Sequence, residues 1–134
     1  MPARNGAATL AAQLAALEVA IGTRTDVEVI VADNGSTDDS VAIAKSFEAR
    51  LPIRVIDASH VPGPAAARNR GVATGRGRWL LFCDADDEVD AGWVRAMARQ
   101  LESGHELLAS RIDYRRLNDP EARGWRGADQ AGVR

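Results

Sequence analysis

Two apolar runs of strand length, V-E-V-I-V-A at 27–32 and W-L-L-F-C at 79–83, each stop abruptly on an aspartate, Asp33 and Asp84. Runs that short, apolar or β-branched and bounded by turn residues predict buried strands. Between and around them the apolar spacing changes. Leu10, Leu14, Leu17 and Ile21 recur at helical intervals, with Gly22 as a stop. Val41, Ala44, Phe47 and Leu51 form a second such stripe. Residues 53–56 after Pro52 predict a short strand, and 65–73 a helix with Pro64 in its first turn. Asp90 is placed to cap a helix facing inward through Trp93 or Val94, Met97 and Leu101, and 106–112 predict a further strand. Strands alternating with helices predict an α/β domain, with a mainly parallel sheet and helices on both faces. Ligands of such sheets bind beyond the carboxyl ends of the strands, so the loops opening at Asp33 and Asp84 belong on one edge.

A chain of 134 residues holds one domain. The domain is expected over 1–112. Residues 113–134 lack apolar periodicity and read as an irregular tail or the start of a further region. A net charge of -2 argues against nucleic acid as a partner. The single cysteine, Cys83, has no internal disulfide partner and reads as a small core side chain. No stretch reaches the roughly 18 apolar residues of a membrane span. Pro2, Arg4, Asn5 and Gly6 do not resemble a secretory leader, so the expected location is the cytoplasm or the inner face of a membrane.

Three carboxylates, Asp84, Asp86 and Asp87, share four residues. At such spacing they repel one another unless a positive charge intervenes. A divalent cation that also accepts phosphate oxygens, Mg²⁺ or Mn²⁺, is one solution. A solvated acidic turn is the other. The segment 33–38, D-N-G-S-T-D, is either a turn with a helix cap at Ser36 and Asp39 or a polar ligand loop with Asp33 as acceptor. Arg68 faces either a phosphate, the acidic loops or solvent. Arg76 and Arg78 read as surface residues. His60 and His105 lack partners at metal or triad spacing, and Trp79, Trp93 and Trp125 are too scattered for a stacking platform, the first two reading as core.

Four segments in order resemble the family 2 glycosyltransferases of GT-A fold: P-A-R-N-G at 2–6, V-I-V-A-D-N-G-S-T-D at 29–38, P-A-A-A-R-N-R-G at 64–71 and F-C-D-A-D-D at 82–87. The resemblance spans about residues 2–111. It implies a Rossmann-like nucleotide-diphospho-sugar transferase fold and transfer, with inversion, of a sugar from a nucleoside diphosphate sugar to an acceptor hydroxyl of a glycan, lipid or small molecule. By that resemblance Pro2, Arg4 and Asn5 lie against base and ribose, and Asp33 binds the base with Asn34, Gly35 and Ser36 around it. Arg68 lies near the diphosphate, Asp84 and Ala85 near the ribose and donor, and Asp86 with Asp84 at the Mg²⁺ or Mn²⁺.

The same resemblance places the family's first strand before Pro2 and its acceptor half beyond the chain's 134 residues. The first strand would lie between those ending at Asp33 and Asp84. Without it the sheet has a gap, with unpaired backbone on both sides and an edge open to self-association. Asp113, Asp119, Glu121 and Asp129 sit in no recognisable base motif, so no catalytic base is assigned. Two other readings compete. One is a truncated, non-catalytic nucleotide-binding domain. The other is a haloacid-dehalogenase-like hydrolase, disfavoured by Glu88 where that signature carries Thr or Val.

Overall fold

The structure is a computed structural model and describes residues 1–113. Three parallel strands run in the order β1-β2-β3: β1 (Pro2–Ala3), β2 (Val29–Asp33) and β3 (Ile53–Asp57). Helices α1 (Leu10–Ile21) and α2 (Ser40–Ser46) connect them, and α3 (Pro64–Thr74) and α4 (Trp93–Glu102) follow. The α/β class expected from the alternation is the class observed.

Alternation along β2 divides the core. Val29 and Val31 face a cluster with Leu10, Leu14, Leu17 and Ile21 of α1 and Ala44 of α2. Ala32 turns the other way, onto Ala58 and Ala67 of α3. Adjacent residues of a strand point to opposite faces, so one strand serves both helix layers. Leu10 and Leu14 are fully buried, each contributing about 1.5–3 kcal/mol of apolar burial. Helix α1 ends as expected at Gly22, whose φ of 57° suits glycine. Helix α4 lays Val94 against this core, and Asp90 Oδ1 accepts from the Gly92 N–H at 2.8 Å.

Several sequence expectations need correction. Pro2 and Ala3 form the strand β1, in register with Ala32 and Asp33, in the place beside β2 where a gap was expected. Met1 lengthens that ladder: its ammonium donates to the Ile30 carbonyl at 3.0 Å, and its own carbonyl accepts from the Ala32 N–H at 2.9 Å. The run at 79–83 forms no strand. Leu80 and Phe82 are 48% and 52% exposed, and Trp79 is exposed rather than core. Leu80 and Phe82 line, with Ile30 and Ala32, a cavity of about 370 Å³. An apolar run becomes a strand only beside a partner ladder, and β1 offers two residues of one. The segment 106–112 is likewise irregular and largely exposed. The predicted tail at 113–134 lies, apart from Asp113, outside the described residues. No helix among the described residues is long and apolar enough to cross a membrane.

Candidate functional site

Strand register places Ala3, Asp33 and Asp57 in one row at the carboxyl edge of the sheet. The loops leaving β1 and β2 are laced together there. The Asn5 N–H donates to Ser36 Oγ at 3.0 Å, and Asn5 Oδ1 accepts from the Thr37 N–H at 2.8 Å. The Gly6 N–H donates to Ser40 Oγ at 2.8 Å, and the Ala7 N–H to Asp38 Oδ2 at 3.0 Å. Asn5 adopts a positive φ of 51° to make this pairing, a conformation that asparagine tolerates better than most residues. The expected cap at Ser36 does not form. Asp39 precedes α2, and Asp38 Oδ1 accepts from the Ser40 N–H at 3.0 Å. Ser36 is committed to the Asn5 contact instead.

Asp33 is half-buried, and both its carboxylate oxygens lie 3.3 Å from the Ser36 N–H. Asn34 is buried and fully engaged. Its N–H donates to the Ala3 carbonyl at 2.8 Å and its Nδ2 to the Ala58 carbonyl and to the Val61 carbonyl at 2.9 Å. Its Oδ1 accepts from the Gly63 N–H at 2.7 Å. The side chain thereby joins the end of β2 to the 58–63 loop and the start of α3, while the backbone N–H pairs with β1. Gly35, at φ 79°, has Ser59 packed so closely that an added Cβ would sit 3.4 Å from it. Pro2 is buried in β1, whereas Arg4 is exposed.

The acidic loop reaches the same edge by side-chain ties. Thr9 Oγ1 donates to the Ala85 carbonyl at 3.0 Å, and Gly6 packs against Ala85. Arg68 Nη2 of α3 pairs with Asp84 Oδ1. The loop is a closed turn: the Asp87 N–H donates to the Asp84 carbonyl at 3.3 Å, and the Asp84 N–H to Asp87 Oδ2 at 2.9 Å. Asp86 is exposed, and its carboxylate has no hydrogen-bond partner among the described residues. No three His, Cys, Asp or Glu side chains converge on a metal-sized point among those residues. The donor set still suits Mg²⁺ or Mn²⁺ on a diphosphate, since such an ion takes one or two carboxylates and fills its remaining positions with phosphate oxygens and water. Asp86 and Asp84 are the carboxylates available.

Cys83, just before the turn, packs against the main core. Burial pushes its thiol pKa up, so it behaves as a small apolar side chain and not as a nucleophile. His60 and His105 are exposed. The edge thus joins Asn5, Asp33, Ser36, Arg68, Asp84, Ala85 and Asp86. The lacing residues Thr9 and Ser40 escaped the sequence reading, and Asp38 was read only as part of the 33–38 turn. For Asp38 and Ser40 the signal was present: Ser, Thr and Asp are dense over 33–40, and such side chains habitually bind nearby backbone.

Comparison with known proteins agrees with this geometry. The model of the family described as glycosyl transferase family 2 matches residues 1–128. The chain belongs to that family. It is 43% identical over 94 residues to the uncharacterized glycosyltransferase YibD of Escherichia coli, covering 69% of this chain and 27% of YibD. It is 31% identical over 107 residues to the succinoglycan biosynthesis protein ExoO of Rhizobium meliloti, covering 78% and 30%. Residues 1–349 of Staphylococcus aureus TarS superpose with a TM-score of 0.71 at 26% identity, covering 78% of this chain and 31% of that one. The TarS complex with UDP-GlcNAc superposes with a TM-score of 0.68 at 22% identity, over 84% and 36% of the two chains. The chain therefore spans about a third or less of the length of these relatives, and its architecture is that of GT-A transferases. The hydrolase alternative falls with the family assignment.

Proposed function

We propose that this chain forms the nucleotide-sugar-binding part of an inverting, metal-dependent glycosyltransferase of the cytoplasm or inner membrane face. Its donor is a nucleoside diphosphate sugar and its acceptor a hydroxyl group. The observation that carries this reading is the joining, on one sheet edge, of the Asp33 loop and the acidic turn, latched by Thr9 and Arg68. Asp33 accepts an N–H of the base. The Pro2, Arg4 and Asn5 segment lines the base and ribose, with Gly35 and Ser36 presenting backbone beside them. Asn34 serves from beneath, because its side chain is already spent on Ala58, Val61 and Gly63. Arg68 supplies positive charge beside the diphosphate, and Asp84 and Ala85 border the ribose and metal. Asp86, with Asp84, holds Mg²⁺ or Mn²⁺, which when bound offsets the charge of the departing diphosphate.

Calorimetric titration with UDP, GDP and TDP, in Mg²⁺ or Mn²⁺ and in chelator, tests this. One of the three is expected to bind only with metal, and Asp86→Ala to weaken that binding about tenfold or more. Binding that survives chelator, or that Asp86→Ala leaves intact, removes the metal bridge. Failure of all three to bind removes the donor site.

A further inference from the structure

The buried stripe of α1 contains one polar side chain. Gln13 is completely buried among Leu10, Leu14 and Leu17, where an amide is expensive. Its Oε1 accepts from the Val89 N–H at 3.1 Å. Its Nε2 is buried without a hydrogen-bond partner. Val89 lies just beyond the acidic turn, so this side chain ties α1 to the chain that leaves the turn. Thr9, four residues earlier and hence on the same side of the helix start, holds the turn itself through Ala85. The chain just before α1 is in turn joined to the start of α2 by the Gly6 N–H to Ser40 Oγ bond.

No β-ladder holds the segment 79–89. Its placement relative to Asp33 rests on these side-chain ties, on Arg68 and on the apolar packing of Cys83, Ala85 and Val89 against the main core. A leucine at position 13 would match the apolar stripe and bury no orphan amide, so packing alone does not favour glutamine there. We propose that Gln13 is a positioning residue for the acidic turn: it fixes, through Val89, where Asp84 and Asp86 stand relative to the base-side loop. This rests on the donor-site reading above and adds a residue outside the site to it.

The test separates the two ends of the ligand. Gln13→Leu, with Gln13→Met in reserve as the unbranched replacement, is titrated by NMR in Mg²⁺. The probes are the tightest-binding of UDP, GDP and TDP and the corresponding nucleoside without phosphates. Affinity for the diphosphate is expected to fall about tenfold, the scale seen when a residue supporting a metal ligand is removed. Affinity for the nucleoside, which needs the Asp33 side alone, stays within about twofold, and the melting temperature does not fall in proportion to the lost diphosphate affinity. A merely structural glutamine would weaken both ligands together through loss of folded protein, or neither. Either result overturns the positioning role. A wild-type chain that binds neither probe overturns the donor-site reading, and this role with it; wild-type binding matched by both variants overturns this role alone.

Discussion

Residues 1–75 and 76–113 meet at one functional edge but are held in different ways. The first region is built on parallel ladders, with Val29 to Asp33 paired residue by residue to Ile53 to Asp57. Its loops are laced by backbone donors into Ser, Asn and Asp side chains. The second region has one helix, α4, and no strand among its described residues. Its acidic turn is tied by Thr9, Gln13 and Arg68, all contributed by the first region, and by the packing of Cys83, Ala85 and Val89 on that region's core. The Asp33 loop is therefore preorganised by the sheet, and the acidic turn is tethered to it.

The sharpest break in this comparison should appear in amide hydrogen exchange. Sheet amides open near the global stability of about 5 kcal/mol or more, whereas locally held segments open for far less. The N–H groups of Val31 and Ala32 are expected to exchange roughly a thousandfold or more slowly than those of Leu80, Leu81 and Phe82. Equal protection in both would mean that 79–83 is held by a ladder after all.

Next in size is Asn34→Ala. The substitution strands the Gly63 N–H and the Ala58 and Val61 carbonyls, and leaving buried partners unsatisfied costs about 2–3 kcal/mol. Urea unfolding should show that loss with an unchanged m-value. A loss below about 0.5 kcal/mol would place the rigidity of the first region in its ladders alone.

The legibility of the chain follows the same division. Leu10, Leu14, Leu17 and Ile21 announce α1 because a helix can be read from its own spacing, and all four are buried. Val29 to Asp33 were readable because alternation and the terminal aspartate coincide. The run at 79–83 misleads for a physical reason: apolarity reports what a segment would bury, while a strand also needs a neighbour to pair with. Asp33, Arg68 and Asp84 were visible as candidates, and topology alone placed the two loops on one edge. Gln13 stayed hidden inside a leucine stripe, where an isolated polar residue among apolar ones was the only signal. Asn34 was visible as a candidate, but its commitment to Ala58, Val61 and Gly63 depends on how a loop 24 to 29 residues away folds back.

Arg68→Met probes the tether with a smaller effect. The Arg68 and Asp84 side chains are 33% and 47% exposed, so solvent screening limits the pair to less than about 1 kcal/mol of stability. Thermal unfolding should change little. Metal-dependent diphosphate affinity should fall more, about tenfold, since a charge-assisted contact is worth more to a bound anion than to the fold. Loss of stability larger than loss of affinity would make the pair a structural strut.

The smallest effect concerns the lacing between the first two loops, and pH exposes it. The Ser40 hydroxyl, followed by the Ala7 N–H, holds the Asp38 carboxyl below its ordinary value of 3.8. A carboxylate whose folded pKa is depressed contributes stability that is whole above its unfolded pKa and is lost as pH falls through the folded one. Wild-type unfolding midpoints in urea should therefore decline as pH falls below about 4. Asp38→Asn removes the titrating group and turns an N–H₂ or a single oxygen toward donors that need two acceptors. The variant should start slightly lower at pH 7 and decline less steeply in acid, so that the two curves converge. Curves that stay parallel from pH 7 to pH 3 would show that Asp38 carries none of the acid sensitivity and that the loops are laced by Asn5, Ser36 and Ser40 without it.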